Sequence, residues 1–222
     1  MLKYKKISSK LIALMLSRAH NPRRAKIRTA FFKDEYALLK EKIVNQDVLV
    51  AGSGLGHDAF ILAKNNRRIV GVDIIGSFII HARRRAKKLK IQNVDFYKSD
   101  IMRLPHPADY FDAAVLNMGT IGNFDDTTLL IKKLLHVTKK LYFDFYSPSK
   151  TSLLIRKKMY EEESWSKLYI KGKLIVNEDG FESRSFSKTQ IKKIVETLGS
   201  KVKFYAISNF AYMAEVTKRG LL

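Results

Sequence analysis

A glycine-rich turn near residue 50 is the first feature of the sequence that could hold a ligand. The apolar run Val48-Leu49-Val50-Ala51 leads directly into Gly52-Ser53-Gly54-Leu55-Gly56, and an amphipathic stretch begins at about residue 57. Glycine tolerates positive φ angles and lets backbone N–H groups approach a ligand closely. The order of strand, glycine turn and helix therefore predicts a binding turn.

A carboxylate stands at the end of the next apolar run. Asp73 closes the run Val70-Gly71-Val72-Asp73 and lies 21 residues after Gly52. At the carboxyl end of a neighbouring strand, an aspartate can accept hydrogen bonds from both ribose hydroxyls of an adenosine. The glycine turn and Asp73 together indicate a ligand that contains a nucleoside.

Two ligand classes use such a turn. A dinucleotide site follows the pattern G-x-G-x-x-G/A, whose last position falls on the bulky His57 when it is counted from Gly52. Counted from Gly54, the last position falls on Ala59 and the pattern fits, so a dinucleotide ligand stays an alternative. The pattern G-x-G-x-G favours a ligand without pyrophosphate, whose amino-acid tail lies across the glycines.

The elements that must position these residues follow from the alternation of apolar and amphipathic stretches after Asp47. This alternation predicts βα units on a parallel sheet. The predicted strands are 48–51, 69–73, 94–97, 113–117 and 141–145, and the predicted helices are 57–66, 76–90 and 125–138.

The regular alternation of apolar and amphipathic stretches ends after Pro148. We predict a helix at 149–163, an extended segment at 165–177, a helix from Ser187 to Gly199, and strands at 202–207 and 212–216. The last two strands are too close in sequence for a parallel crossover and must be antiparallel. The expected fold is thus α/β, with a doubly wound, mostly parallel seven-stranded sheet that ends in an antiparallel pair.

Two further helices are predicted before the first strand, at 8–19 and 31–44. We expect residues 1–46 to form a basic helical lid or extension and residues 47–222 to form a Rossmann-like domain, in a chain of one domain overall.

Residues 47–124 resemble a class I S-adenosylmethionine-dependent methyltransferase of the seven-stranded, Rossmann-like kind. Four segments carry the resemblance: 48–56 is similar to the first motif of the family, 71–74 to its ribose-binding strand end, 99–105 to its adenine-contacting stretch, and 111–117 to its fourth strand. The chain departs from the family at Val50, where most members carry an acidic residue.

The resemblance implies S-adenosyl-L-methionine as the cofactor and no metal. The implied cofactor contacts are Gly52, Ser53, Gly54 and Gly56 for the methionine tail, Asp73 for the ribose, Ile74, Asp100 and Ile101 for the adenine, and Asn117 and Met118 near the sulfonium.

No residue is selected as the catalytic base. Candidates beside the methyl group are Asn117, Thr120, Asn123, Asp144, Tyr146 and, from the N-terminal part, Tyr36. The fourth strand is followed by neither an Asn-Pro-Pro-Tyr type motif nor a Lys-Asp-Lys-Glu set. Residues 116–124 instead resemble the branch that methylates nitrogen or oxygen of small molecules.

The charge of the chain favours a different kind of partner. The formal net charge is +21, residues 1–33 carry ten basic side chains and no acidic one, and residues 83–90 hold six basic side chains. Such clusters favour a polyanion such as RNA, although a solvated helix face explains them as well. The longest early apolar run, 11–16, is too short for a membrane span or signal core, and we expect a cytoplasmic protein.

Three functions therefore stay open. The first is transfer of a methyl group to a nitrogen or oxygen of a small molecule or protein. The second is an RNA- or ribosome-directed methyltransferase that its basic surface recruits. The third is a non-catalytic binding module or an NAD-dependent enzyme on a Rossmann-like scaffold.

Overall fold

The apolar runs of the sequence form the strands of one large sheet. A computed structural model describes residues 12–13, 26–163, 167–178 and 180–219. The helix predicted at 8–19 lies outside this range except for residues 12 and 13, which are helical.

Helices and strands alternate along most of the chain. In chain order they are α1 Lys26–Lys42, β1 Asp47–Ala51, α2 His57–Leu62, β2 Arg68–Asp73, α3 Gly76–Lys88, β3 Val94–Lys98, β4 Phe111–Leu116, α4 Thr127–Val137, β5 Thr138–Tyr146, α5 Lys150–Glu162, β6 Leu168–Lys171, β7 Leu174–Asn177, β8 Glu182–Arg184, α6 Lys188–Thr197, β9 Ser200–Ala206 and β10 Ala211–Lys218. Short 3₁₀ helices follow α2, β3 and β4 at Ala63–Asn65, Ile101–Arg103 and Thr120–Asn123.

The large sheet has seven strands in the order β3-β2-β1-β4-β5-β10-β9. Strands β1 to β5 are parallel, whereas β10 runs antiparallel to both β5 and β9. The predicted fold class is therefore confirmed. The strand order reverses between β1 and β4, and at such a switch point ligands bind outside the carboxyl ends of the strands.

The period-two alternation of each strand divides its apolar side chains between two cores. Val50 and Val115 lie on one face of the sheet, with side chains from α1, α2, α3 and α5. Leu49 and Leu116 lie on the other face, beneath α4 and α6. Both faces of β1 and β4 are buried, which explains why these strands read as continuous apolar runs.

Helix α1 begins at Lys26, earlier than the predicted start at residue 31. Its first turn carries Arg28, whose Nε lies 2.5 Å from Oε1 of Glu163, and both side chains are less than a tenth exposed. An ion pair across 135 residues leaves no local pattern in the sequence, which is why the periodicity missed this turn.

The segment predicted as extended at 165–177 contains the hairpin of β6 and β7, and β8 adds a third antiparallel strand that was not predicted. The three strands form a small second sheet beside α5, and Leu168 and Ile175 join the core on the α1 side. Among the described residues, no helix is long and apolar enough to cross a membrane.

Candidate functional site

The glycine turn after β1 adopts the conformation that its composition predicts. Gly52, Gly54 and Gly56 have φ angles of +69°, +51° and +84°. The N–H of Ser53 donates to the carbonyl of Val72 at 2.8 Å, which fastens the turn to the end of β2. A Cβ built on Gly54 would meet no atom within 4 Å, so this side of the turn is open for a ligand.

Asp73 lies beside the turn, at the end of β2. Its Oδ2 accepts from the Gly54 N–H and its Oδ1 from the Ile75 N–H, both at 2.9 Å. Burial raises the pKa of Asp73, and these backbone donors oppose the shift. Because each carboxylate oxygen has more than one lone pair, Asp73 keeps acceptor capacity for two hydroxyl groups.

Two apolar side chains stand exposed at strand ends around the turn. Ile74 follows β2 directly and is 45% exposed, while Met118 follows β4 and is 44% exposed. Large hydrophobic side chains at the rim of a cleft can pack against an aromatic ring such as adenine. The sequence assigned Ile74 to the adenine and Met118 to the neighbourhood of the sulfonium, and both roles stay predictions.

Asp100 and Ile101 form the start of the 3₁₀ helix after β3. Oδ1 of Asp100 accepts from the Met102 N–H at 2.8 Å, and Oδ2 lies 3.9 Å from Nε of Arg103. Ile101 is buried in the core on the α4 side. Asp100 thus acts as a helix cap, and an additional contact to adenine is still a prediction.

The chain turns sharply after β4. Met118 and Gly119 both have a φ of +62°. A Cβ on Gly119 would lie 2.1 Å from Cε2 of Tyr146, so only glycine fits against that ring. Asn117, just before the turn, is 4% exposed, and neither its Nδ2 nor its Oδ1 has a hydrogen-bond partner.

Asp144 on β5 faces the same turn. Both of its carboxylate oxygens accept from the Gly119 N–H, at 2.8 and 2.9 Å, and the residue has no solvent exposure. Burial raises the pKa of Asp144 to about 7, helped by the nearby charge of Asp58, although the Gly119 donor and Arg156 oppose the shift. A carboxyl group that titrates near neutral pH can exchange a proton with a substrate.

Glu35 is a buried acid that the sequence analysis missed. It belongs to the inward stripe of α1, which is made of Arg28, Phe31, Phe32, Glu35 and Leu39. Its carboxylate is fully buried without a hydrogen-bond partner, and burial, Asp144 and Asp58 raise its pKa. The sequence does contain a pattern that could have revealed it, because Glu35 lies four residues from both Phe31 and Leu39 and so shares their face of the helix.

The other residues predicted as candidate bases differ in burial and in hydrogen bonding. The hydroxyl of Tyr36 donates to Oδ1 of Asp58 at 2.8 Å, and that of Thr120 donates to the Asn117 carbonyl at 2.5 Å. Tyr146 is buried with an unpartnered hydroxyl, whereas Asn123 is exposed. The described residues contain no group of histidine, aspartate or glutamate side chains that could hold a metal ion.

Comparison with known proteins places this arrangement in a family. Residues 44–206 match the family model described as "Methyltransferase domain". The chain therefore belongs to that family, and its fold is that of the class I, Rossmann-like, S-adenosylmethionine-dependent methyltransferases. Solved S-adenosylmethionine-dependent methyltransferases from Aquifex aeolicus and Clostridium acetobutylicum share the fold, with TM-scores of 0.63 and 0.65.

Two curated relatives and one further solved structure are similar to the chain over different lengths. The chain is 42% identical over 59 residues to a S-adenosyl-L-methionine-dependent Diels-Alderase of Talaromyces variabilis, covering 26% of this chain and 20% of the relative. It is 34% identical over 90 residues to the 2-phytyl-1,4-naphtoquinone methyltransferase of Synechococcus elongatus, covering 39% and 38%. The PH0226 protein of Pyrococcus horikoshii superposes with a TM-score of 0.68 at 22% identity, covering 97% and 95%.

The chain thus spans between a fifth and two fifths of the length of these curated relatives. Family membership makes S-adenosyl-L-methionine the cofactor, and the residues present fit it. The open side of Gly54, the Asp73 carboxylate and the unpartnered Asn117 amide surround one end of the β1–β4 switch point.

Proposed function

We propose that the chain transfers the methyl group of S-adenosyl-L-methionine to a nitrogen or oxygen of a small molecule or protein. The observation that carries this proposal is the pairing of the open glycine turn with Asp73, whose oxygens are fixed by the N–H groups of Gly54 and Ile75. The small-molecule choice is supported by the relative named for a naphthoquinone.

We infer that the chain is one domain, with residues 1–46 as a lid or extension of residues 47–222, and that it works in the cytoplasm. The packing of α1 against β1 in a common core supports the single domain.

The chain's own contribution to the reaction is positioning and proton handling. When bound, the cofactor supplies an already activated methyl group, so alignment of the nucleophile is the main task. The backbone of Gly52–Gly56 and the carboxylate of Asp73 orient one side of the site. Asp144, whose pKa is raised to about 7, accepts the proton that an amine or hydroxyl nucleophile must lose.

Calorimetry tests the cofactor part of this proposal. Wild-type protein should bind S-adenosylhomocysteine and not NAD, and Asp73→Ala should weaken binding by about 1.5–3 kcal/mol, because hydrogen bonds to a charged group are removed. Asp95→Ala is the matched control, since Asp95 is an exposed acid on the neighbouring strand β3. Preference for NAD, or equal affinities of both variants, would contradict the proposal.

Methyl transfer itself needs a second assay. Protein incubated with S-adenosylmethionine labelled in the methyl group should label a metabolite or protein fraction of a cell extract. Cofactor binding without label in any fraction would favour the non-catalytic alternative, in which the fold serves another purpose.

An RNA substrate is the second candidate, and α3 provides its observation. Arg83 donates to the Phe96 carbonyl and Arg85 lies beside His57, so these two basic groups are engaged internally. The exposed basic side chains Arg84, Lys87, Lys88 and Lys90 form no ion pair within the described part of the chain. RNA binding that weakens steeply with salt would support this candidate, and an affinity that salt does not change would exclude it.

A further inference from the structure

Three carboxyl groups from three elements meet beneath α1, and we call them the acidic cluster. Glu35 comes from α1, Asp58 from the first turn of α2 and Asp144 from β5, and each is less than a tenth exposed. Contacts of α1 bring Glu35 close to the other two, since the rings of Phe31 and Tyr146 are 6.3 Å apart and the Tyr36 hydroxyl donates to Asp58. Burial raises the pKa of Glu35, and the charges of Asp144 and Asp58 raise it further. In a chain with a net charge of +21, a buried concentration of acids is unexpected.

The hydrogen bonds of the cluster are unequally distributed. Asp58 accepts from the Tyr36 hydroxyl, and Asp144 accepts twice from the Gly119 N–H. Glu35, in contrast, has no partner on either oxygen. A buried polar group without a hydrogen bond costs about 1–3 kcal/mol, and more when it is charged, so a bare carboxyl needs an explanation.

Two more unpartnered groups lie on the same side of the sheet. The register pairs Val115 with Tyr142, which brings Asn117 level with Asp144 on the face that carries the α1 core. Neither side-chain atom of Asn117 has a partner, and neither has the hydroxyl of Tyr146, two residues further along β5. Glu35, Asn117 and Tyr146 thus offer several hydrogen-bonding atoms that nothing in the described chain uses.

The basic groups nearby do not neutralise the cluster directly. Arg28 forms an ion pair with Glu163, and the two terminal nitrogens of Arg156 donate hydrogen bonds to Ser183 and Ser185. The Arg156 guanidinium also lies 4.1 Å from the centre of the Tyr146 ring. Burial raises the pKa of the Tyr146 hydroxyl well above its ordinary value, and the Tyr160 hydroxyl lies 3.1 Å from Oγ of Ser183. Within the described residues, neither Glu35 nor Asp144 has a salt bridge.

We propose that the acidic cluster binds an alkylammonium group, with Glu35 as its counter-ion and Asp144 and the Asn117 side-chain oxygen as further acceptors. An ammonium has three donors and no acceptor, which matches the unpartnered oxygens of Glu35 and Asn117, while each Asp144 oxygen keeps a lone pair beside its bond from the Gly119 N–H. A metal ion is a poorer match, because the described side chains contain no group arranged as metal ligands.

This inference rests on the proposed function, which offers two sources of the ammonium. One is the α-ammonium of the methionine part of the cofactor. The other is an amine acceptor: its ammonium would lose a proton to the Asp144 carboxylate, and the freed lone pair would form the N–CH₃ bond. The C–S bond would break with its electron pair returning to sulfur, leaving a methylated ammonium and S-adenosylhomocysteine.

Calorimetry on Glu35→Gln distinguishes these sources. S-adenosylhomocysteine carries the ammonium, whereas 5′-methylthioadenosine lacks the whole amino-acid tail. If the cofactor supplies the ammonium, Glu35→Gln should weaken S-adenosylhomocysteine about tenfold or more and leave 5′-methylthioadenosine unchanged. If the acceptor supplies it, both affinities stay, and n-butylammonium binding to the S-adenosylhomocysteine complex is abolished instead. Glu41→Gln is the control, since its side chain is 68% exposed on the same helix.

Proton release provides a readout that a purely structural Glu35 would not move. An ammonium beside Glu35 and Asp144 favours their ionised forms, so wild-type protein should release protons on binding at pH 7. Calorimetry in phosphate and in Tris measures this release, which should shrink in Glu35→Gln. Thermal melting establishes that the variant is folded.

Two negative results have different meanings. If wild-type protein binds neither S-adenosylhomocysteine nor S-adenosylmethionine, the proposed function fails, and n-butylammonium titrated into the protein alone still tests the cluster. If wild type and Glu35→Gln bind S-adenosylhomocysteine and n-butylammonium equally, with equal proton release, the ammonium site is overturned.

Discussion

The two sides of the site satisfy their polar groups in opposite ways. Beside the glycine turn, the Asp73 carboxylate is held by backbone N–H groups, and its neighbour Ile74 is open to solvent. In the acidic cluster, Glu35 and Asn117 are buried and have no partners. On the first side the acidic side chain already has hydrogen-bond donors, whereas on the second side buried polar atoms lack partners that a ligand could supply.

The glycine turn and Asp73 thus form a preformed backbone scaffold, whereas the acidic cluster contains buried atoms that lack hydrogen-bond partners. One backbone donor to Asp73, the Ile75 N–H, comes from its own strand end, and the other, the Gly54 N–H, comes from the turn after the paired strand β1. The acidic cluster depends on α1, which is anchored by the distant pair of Arg28 and Glu163. Stability given up at a buried polar site is a common mark of function.

The largest expected effect is on the anchor of α1. Arg28→Leu removes the guanidinium from its buried ion pair with the Glu163 carboxylate, which should lower the free energy of unfolding by about 3–5 kcal/mol in urea titrations. Hydrogen exchange should increase in α1 before it increases in β1 and β2. Replacing both partners by leucine is the control and should recover part of the loss. A change below about 1 kcal/mol in Arg28→Leu would show that the pair does not hold α1 in place.

The next effect depends on pH and concerns Asp144. Its pKa is about 7 in the folded protein against about 3.9 in the unfolded chain. A raised folded pKa means that the stabilising contribution is complete below about pH 4 and is lost as the pH rises through 7. Asp144→Asn should therefore gain up to about 4 kcal/mol relative to wild type between pH 4 and 8 in urea titrations. A difference independent of pH would contradict the assignment.

A smaller effect separates a role in ligand binding from backbone strain. Gly54→Ala and Gly172→Ala both place a side chain at positive φ, +51° and +59°, with no atom within 4 Å of the new Cβ. Each should cost about 1–2 kcal/mol of stability. Only Gly54→Ala should also weaken S-adenosylhomocysteine, by about 1–3 kcal/mol, because its methyl group enters the ligand space. Equal affinities for the two variants would remove the turn from the site.

The smallest effect concerns the exposed basic side chains of α3. If RNA is the partner, replacing Lys87 and Lys88 by glutamine should reduce the salt slope of binding by about 1 for each phosphate that is no longer neutralised. The paired exposed residues Lys132 and Lys133 on α4 are the control, since α4 lies on the other face of the sheet. Equal slopes for the two double variants would remove α3 as the RNA surface.

The sequence predicted the fold and the conformation of the glycine turn well for a physical reason. Strand alternation, the glycine spacing and the terminal Asp73 are local patterns, and the order of βα units restricts their arrangement in a sheet. The predicted strands and the antiparallel C-terminal pair accordingly match β1–β5, β9 and β10. The cofactor contacts assigned to the turn glycines and Ser53 and to Asp73, Ile74, Asp100, Ile101, Asn117 and Met118 all stay predictions.

By itself, then, the sequence determined the family, the sheet and the positive-φ conformation of the glycine turn. Only the tertiary structure decided that Glu35, Asp58 and Asp144 come together, because α1, α2 and β5 are distant in the chain and no local period links them. A pKa depends on burial and on charges brought near by folding, so the sequence could place Asp144 among the candidate bases but could not give its raised pKa. In the folded chain it titrates near neutral pH beside an unpartnered Glu35.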